Sequence, residues 1–196
     1  MTIAIVKYNA GNVQSVQFAL ERLGQQAVWT DDPKLLRRAD RVIFPGVGEA
    51  SSAMRYLRER GLDKVIISLE QPVLGICLGL QLFCRHTEEG DTPCLGIFDV
   101  EVRKFKAKDG LKVPHMGWNT LDQVRGPPFE GVEADNSFYF VHSYYAEISP
   151  ETAALTNYGV PFSAALQRDN FYAVQFHTEK SSQVGSKILD NFLKFC

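Results

Sequence analysis

The sequence is poor in cysteine and has no closely spaced cysteine pair. Its four cysteines stand at positions 77, 84, 94 and 196. The C-x-x-C spacing that is typical of zinc sites and redox dithiols does not occur, so neither kind of site is indicated. At most one of these thiols needs a chemical role.

A secretory leader and a membrane-length apolar run are also lacking. Residues 1–7 have no basic start, long apolar stretch or small-residue cleavage site. The most apolar stretch, residues 72–83, is too short to cross a bilayer and contains Gln81. We therefore expect a cytoplasmic protein that has reduced thiols and makes no membrane contact.

The sequence has no excess of positive charge, since its formal net charge is -2. A nucleic-acid binder needs a dense basic surface to neutralise phosphates, so no nucleic-acid partner is expected. No internal repeat and no long linker divide the sequence. Its 196 residues, 45% hydrophobic and 22% charged, are expected to form one domain over residues 1–196.

Short β-branched segments alternate with amphipathic helical patterns in the first half of the sequence. The predicted strands are residues 3–6, 27–29, 41–44 and 73–76, and the predicted helices are residues 13–23, 50–60 and 62–69. Asn12 is expected to cap the first helix and Gly24 to end it. This alternation predicts an α/β fold whose parallel sheet is covered by helices.

Beyond Gly90 the pattern changes to short strands separated by turn residues. The predicted strands are residues 100–105, 137–145, 153–156, 163–167 and 172–176, with a hairpin turn at residues 168–170 and a final helix over residues 184–195. We therefore expect a mostly parallel sheet flanked by helices, with additional antiparallel strands in the second half.

Residues 75–79 read Gly-Ile-Cys-Leu-Gly and connect a predicted buried strand to a helix. In this context a G-x-nucleophile-x-G segment forms a sharp elbow that presents the nucleophile at the start of the helix. The helix dipole there favours the thiolate of Cys77 over the neutral thiol. A small core cysteine between two packing glycines is an equally good interpretation of the pentapeptide alone.

Residues 175–179, Gln-Phe-His-Thr-Glu, favour the catalytic interpretation. They lie at the end of a predicted strand, in which residues two apart point to the same side, so His177 and Glu179 are expected to project together. A cysteine nucleophile needs a base, and the base needs a carboxylate that orients it. The remaining histidines, at 86, 115 and 142, are each interpreted as hydrogen-bonded structural residues.

Four further segments extend this pattern along the chain. Together with the elbow and residues 175–179, they make the whole chain resemble the class I glutamine amidotransferases. These segments are YNAGN at residues 8–12, PGVG at 45–48, PHMGWN at 114–119 and FVHSY at 140–144. The elbow is typical of the whole family, whereas GVG and HMGWN resemble the glutaminase subunits of imidazole glycerol phosphate synthase, from histidine biosynthesis. The resemblance implies a flavodoxin-like architecture and hydrolysis of glutamine to glutamate and ammonia, a reaction that needs no metal or organic cofactor.

The resemblance also implies roles for individual residues. Cys77, His177 and Glu179 would form the catalytic triad, and backbone N–H groups of Val47 and Leu78 would form the oxyanion hole. Glutamine binding is expected at Gln81, Glu89, His142, Ser143 and Tyr144. Glu89 would meet the ammonium group of the substrate. From the residues alone the adjacent Glu88 could do the same, and the choice of Glu89 rests on the resemblance.

A partner is expected because ammonia released into water would be protonated and lost as a nucleophile. By resemblance this partner is a (β/α)₈-barrel cyclase subunit that forms a heterodimer with the chain and receives ammonia through a channel. His142, Tyr144 and Lys180 are candidates for the contact face. Two residues depart from the family pattern: Thr178 stands where proline is usual, and Lys7 where aspartate is common.

Three other interpretations remain open on the sequence. The chain could be a binding subunit without activity, although the complete Cys, His and Glu set argues against this. It could be a peptidase or deglycase of a related cysteine-elbow fold, in which the acid comes from elsewhere in the chain. It could also serve a different synthase, such as one that makes anthranilate, pyridoxal phosphate or carbamoyl phosphate, and only the GVG and HMGWN segments speak against that.

Overall fold

The computed structural model describes residues 1–9, 11–107, 111–133 and 135–196. Its strands are β1 (Ile3–Val6), β2 (Ala27–Thr30), β3 (Arg41–Gly46), β4 (Val73–Cys77), β5 (His86–Thr87), β6 (Thr92–Pro93), β7 (Glu101–Lys104), β8 (His115–Thr120), β9 (Ser137–His142), β10 (Tyr144–Ala146), β11 (Thr152–Asn157), β12 (Pro161–Arg168) and β13 (Phe171–Val174). Its α-helices are α1 (Val13–Arg22), α2 (Pro33–Arg38), α3 (Ala50–Glu59), α4 (Leu62–Ile67), α5 (Leu78–Phe83) and α6 (Ser182–Phe195). Short 3₁₀ helices cover Pro127–Phe129 and Thr178–Lys180.

Five parallel strands, in the order β2-β1-β3-β4-β13, form one half of the main sheet. Strands β1, β4 and β13 are buried along their whole length, as expected for a parallel sheet with helices on both faces. In such folds ligands bind at the carboxyl ends of the strands. Cys77 ends β4, and residues 175–179 follow the neighbouring β13, so both segments selected from the sequence lie at this edge.

The other half of the main sheet is largely antiparallel. Strand β12 pairs with β13 through a tight turn at residues 169–170, which confirms the predicted hairpin. Beyond β12 follow β10, β7, β5 and β6, while β11 pairs with the other edge of β12. All neighbouring pairs here are antiparallel except β5 with β7. The predicted combination of a parallel sheet with later antiparallel strands is therefore confirmed.

Helices cover both faces of the main sheet. On one face α2, α3 and α5 contribute core residues such as Leu36, Leu57 and Phe83, all fully buried. On the other face α1 and α6 contribute Leu20 and Phe192 to a second core. Among the described residues, no helix is both long enough and apolar enough to cross a membrane.

The single strand predicted over residues 137–145 is wrong, because the chain changes sheets at Ser143. Strand β9 pairs with β8 in a separate two-stranded sheet, whereas β10 joins the main sheet between β7 and β12. The carbonyl oxygen of Ser143 accepts a hydrogen bond from the backbone of Phe105 at 3.0 Å. This crossing brings residues 141–144 from the small sheet to the edge where β4 ends.

Helix α2 and strands β5, β6 and β8 were not predicted from the sequence, and the capping role predicted for Asn12 is wrong. Helix α2 carries the expected signals, since Asp32 accepts the Lys34 N–H at 2.8 Å and Pro33 occupies the first turn. The Asn12 side chain does not cap α1: the residue has a left-handed backbone with a φ of 75°. Ala10, in the YNAGN segment, lies outside the described residues.

Candidate active site

The turn between β4 and α5 has the geometry of a nucleophile elbow. Cys77 adopts a φ of 56° and a ψ of -106°, a strained conformation for a residue with a side chain. Added side chains would overlap with the Phe44 carbonyl oxygen at Gly79 and lie 2.8 Å from the ring of Phe83 at Gly75. The two glycines are therefore required by close packing around the turn.

The loop at residues 45–48 lies directly beside the elbow. Gly46 pairs with Cys77 in the parallel register of β3 and β4. The hydroxyl of Tyr8 donates a 2.8 Å hydrogen bond to the Pro45 carbonyl, and a side chain at Gly46 would overlap with that hydroxyl. This packing holds the loop, with Val47 in it, against the residue that the sequence identifies as the nucleophile.

The other three cysteines are poor candidates for a nucleophile. Burial raises the pKa of the Cys84 thiol well above its ordinary value, that of Cys94 to about 12 and that of Cys196 to about 11. A thiol with a raised pKa is almost wholly protonated at neutral pH, and the thiolate is the reactive form. Their environments leave Cys77 as the candidate.

His177 and Glu179 form a buried pair next to Cys77. Nδ1 of His177 lies 2.7 Å from Oε1 of Glu179, and both side chains are fully buried. The reason given from the sequence was wrong, because residues 178–180 form a turn of 3₁₀ helix beyond the end of β13. The helical turn, and not strand alternation, brings the imidazole and the carboxylate together.

Charges within this cluster stabilise an imidazolium. Burial opposes the charged form of His177, but the Cys77 side chain and then the Glu179 carboxylate outweigh it and raise the pKa of His177 to about 10. Burial likewise opposes the charge of Glu179, yet the hydrogen bond with His177 keeps the pKa of this carboxyl below its ordinary value. The site thus favours the charged forms of the base and its carboxylate.

Three further contacts hold this pair, two of them from distant parts of the chain. The backbone N–H of His177 donates to the Tyr139 carbonyl at 2.9 Å, and the Ser181 hydroxyl donates to the backbone carbonyl of His177 at 2.6 Å. Nδ2 of Asn12 donates to Oε1 of Glu179 at 2.5 Å. Asn12 was not predicted as a site residue, and its only signal in the sequence is its place in the YNAGN segment.

A small cavity of about 170 Å³ opens in front of the elbow. The residues around it include all those that the sequence assigned to the oxyanion hole and to glutamine binding, together with the nucleophile: Val47, Cys77, Leu78, Gln81, Glu89, His142, Ser143 and Tyr144. A larger cavity of about 480 Å³ lies beside Phe105 and Tyr158 and is lined by none of these eight residues. The smaller cavity is therefore the candidate substrate site.

The structure distinguishes Glu89 from Glu88 as the candidate for binding the substrate's ammonium group, a choice that the residues alone left open. Glu89 lines the cavity, and its Oε2 accepts the Ala50 N–H at 2.8 Å. Glu88 does not line it: its carboxylate accepts the Lys104 N–H at 2.7 Å and lies 3.4 Å from Arg103. Partial burial raises the pKa of Glu89 above its ordinary value. An ammonium group of a ligand would offset this burial.

His142 lines the cavity, but both of its ring nitrogens have partners inside the protein. Nδ1 lies 2.7 Å from the Tyr144 carbonyl, which can only accept a hydrogen bond, so Nδ1 carries the proton. Nε2 lies 3.0 Å from Nδ1 of His115. These contacts agree with the structural role expected for His115. Lys180, a candidate for the contact face with a partner, is exposed at the surface.

Comparisons with known proteins concern the family of the chain. The family model described as "Glutamine amidotransferase class-I" matches residues 5–195. The "Imidazole glycerol phosphate synthase subunit HisH" of Bacteroides fragilis strain YCH46 is 56% identical over 195 residues, covering 99% of this chain and 100% of that protein. The protein of the same name from Vibrio cholerae is 45% identical over 199 residues, covering 98% of each.

Two solved structures share the fold. A putative GMP synthase protein from Thermoplasma acidophilum superposes with a TM-score of 0.74 at 21% identity, covering 98% of this chain and 92% of that one. A crystal structure of a glutamine amidotransferase gives a TM-score of 0.72 at 20% identity, with 97% and 96% covered. These two similarities concern the fold alone, whereas the family model and the closely related sequences cover nearly the whole chain: the chain belongs to the class I glutamine amidotransferases.

Proposed function

We propose that the chain is the glutaminase subunit of an imidazole glycerol phosphate synthase. The observation that carries the glutaminase part is the buried His177 and Glu179 pair beside the elbow of Cys77. The choice of this synthase is supported by relatives of that name, at 45% to 56% identity over almost their full length.

The reaction begins when the Cys77 thiolate attacks the carboxamide carbon of glutamine. The carbonyl π electrons move to oxygen, and the tetrahedral oxyanion accepts hydrogen bonds from the N–H groups of Leu78 and Val47. His177, as the imidazolium, then protonates the departing nitrogen, which leaves as ammonia while a thioester forms at Cys77. Glu179 keeps the imidazole oriented and stabilises its positive charge.

Water then completes the reaction. His177, now neutral, takes a proton from a water molecule that attacks the thioester, and the second oxyanion uses the same two N–H groups. Its collapse releases glutamate and restores the Cys77 sulfur. Gln81 and Glu89 are proposed to hold the amino-acid end of glutamine, with the Glu89 carboxylate against the ammonium group, and residues 142–144 to line its path.

Ammonia has to reach its acceptor without crossing water, where it would be protonated. We therefore infer a heterodimer with a (β/α)₈-barrel cyclase subunit, which makes imidazole glycerol phosphate and aminoimidazole carboxamide ribotide (AICAR) in histidine biosynthesis. The contact face would include Tyr144, His142 and the exposed Lys180. Both subunits of such a biosynthetic enzyme would work in the cytoplasm.

The isolated chain is expected to be nearly inactive because of Val47. Turning the peptide between Gly46 and Val47 so that its N–H faces the oxyanion changes the φ angle of Val47, and β-branched residues resist unusual φ values. Loss of one oxyanion donor costs roughly a hundred- to a thousand-fold in rate. Partner binding that turns this peptide would therefore recover much of this loss in rate.

Mass spectrometry after treatment with a glutamine-analogue electrophile tests the nucleophile, and an adduct at Cys77 is expected. Labelling of Cys84 or Cys94 with Cys77 unmodified would contradict the assignment.

Glutamate release should then be measured for the chain alone, with the cyclase of the same organism, and with cyclase plus its ribonucleotide ligand. Full activity of the chain alone would refute the activation by the partner but not the glutaminase, whereas no activity in any arm would refute both.

A further inference from the structure

We propose that Gln175 is a further catalytic residue, whose side-chain amide donates a hydrogen bond to the thiolate of Cys77. This role rests on the proposed function, because it concerns the nucleophile of that reaction. From the sequence alone, Gln175 has no role beyond its place in the 175–179 segment. The structure places its side chain against the reacting sulfur atom.

Gln175 reaches the sulfur because of the register between two parallel strands. Val174 of β13 pairs with Ile76 of β4, so Gln175 and Cys77 follow side by side at the same edge of the sheet. Nε2 of Gln175 lies 3.7 Å from Sγ of Cys77, within hydrogen-bond range for sulfur. Gln175 is fully buried, so water does not compete for this contact.

The orientation of the Gln175 amide follows from its other contacts. Nε2 of Gln81 lies 3.1 Å from the Tyr144 carbonyl, an atom that can only accept, so this end of Gln81 must be the NH₂ group. The same Nε2 lies 3.1 Å from the amide of Gln175. The atom of Gln175 that faces Gln81 must therefore be its oxygen, and the NH₂ group of Gln175 must face the sulfur.

This chain of contacts gives the two glutamines different roles. Gln175 touches the reacting atom and stabilises the negative charge of the thiolate in a site from which water is largely excluded. Gln81 does not touch the sulfur in this arrangement: it is a positioning residue that fixes the Gln175 amide. Because Gln81 is also proposed to hold the substrate, occupation of the cavity and the environment of the thiolate are connected through one side chain.

The test measures the thiolate directly, without glutamine. Cys77 is alkylated with iodoacetamide across pH 5 to 10, and its modification rate is read by peptide mass spectrometry in wild type and in Gln175→Met, which has a similar size but no donor. We expect the midpoint of the pH profile to rise by about one unit, which corresponds to the loss of one hydrogen bond to a charged group. The kcat/KM of glutaminase activity with the cyclase should fall by up to about tenfold and partly recover at alkaline pH.

Two further variants make the result decisive. Gln71→Met is the control for the same exchange at a remote site: like Gln81, Gln71 donates to a backbone carbonyl, that of Leu36 at 2.7 Å, but it lies at the opposite end of β4. Its profile should match wild type. Gln81→Met should raise the midpoint although Gln81 does not touch the sulfur, and it decides the matter if Gln175→Met does not fold. An unchanged midpoint in a folded Gln175→Met, or in Gln81→Met, overturns the proposal. If the wild type releases no glutamate, the proposed function fails while the alkylation profiles still decide the role of Gln175.

Discussion

The nucleophile and the base of the proposed triad are held in different ways. The elbow, residues 75–79, is fixed by packing, because its glycines lie against Phe44 and Phe83 with no room for a side chain. The histidine segment, residues 175–181, follows the last strand of the parallel half and is fixed by hydrogen bonds. These come from Asn12, from Tyr139 and from Ser181 within the segment.

This difference has a functional consequence. Close packing gives the sulfur one position, and any change of volume there is resisted by the whole core. Hydrogen bonds of the histidine segment can be weakened one at a time, so the orientation and charge of His177 can be tuned without unfolding the protein. We therefore expect substitutions in the elbow to affect stability, and those around His177 to affect turnover.

The strongest way to separate the two regions is Glu179→Gln, which removes a charge but keeps the shape of the side chain. Turnover with the cyclase should fall by roughly ten-thousand-fold, because the imidazolium loses its partner and the imidazole its orientation. Thr178→Pro, which restores the usual family residue, is the neighbouring control and should change turnover far less. Glutamine affinity should change little in either variant. Equal activity of the two variants would require another residue as the third member of the triad.

In the elbow, Gly79→Ala is expected to destabilise the fold by more than about 3 kcal/mol, because the new methyl group overlaps with the backbone of Phe44. Urea unfolding measures the change. Gly24→Ala is the matched control: Gly24 has a positive φ of 72° but open space around it, so only the backbone strain of about 1 kcal/mol remains. If both variants lost the same stability, close packing would not explain the glycine.

The sequence predicted the elbow well because the reason for its glycines is local. A strand, a tight turn and a helix lie within a dozen residues, and their steric needs appear as a pattern. The parallel half of the sheet was predictable for the same reason, since each strand and helix carries its own periodicity. The family resemblance then supplied the cavity residues 47, 81 and 89, which no local pattern joins.

The contacts around His177 were not predictable in this way. Asn12 had a good local interpretation as a helix cap, and only its position opposite Glu179 in the folded chain shows the other role. The change of sheet at Ser143 was missed because both strands continue the same apolar alternation. Gln175 carries no local signal either, because its orientation depends on Gln81, 94 residues earlier in the sequence.

Removal of the Asn12 amide should have a moderate effect on the histidine segment. Asn12→Gly is the informative substitution, because glycine accepts the φ of 75° and the variant loses only the side chain. We expect kcat with the cyclase to fall about tenfold, the usual cost of one hydrogen bond to a charged group, while KM stays unchanged. Ser182→Gly serves as control, since Ser182 is exposed and also has a positive φ, of 55°. A rise in KM at unchanged kcat would instead place Asn12 in substrate recognition.

The smallest expected effect concerns two buried histidines, His177 and His142, whose pKa values shift in opposite directions on folding. Folding raises the pKa of His177 to about 10, so its stabilising contribution is complete below pH 6.5 and is lost as the pH rises through 10. Burial lowers the pKa of His142 to about 3, so its neutral form costs stability as the pH falls below 6.5, where the unfolded chain binds a proton and the folded chain does not. Between pH 7 and pH 5.5 this single group should remove about 1 kcal/mol from the free energy of unfolding.

The measurement is urea unfolding at both pH values for wild type and His142→Phe, in which the loss should be smaller by that amount. His177 remains protonated in the fold over this range in both proteins, so its contribution cancels in the comparison. Equal losses in the two proteins would mean that His142 takes up a proton inside the fold, and its hydrogen bond to the Tyr144 carbonyl would then have to carry a charge.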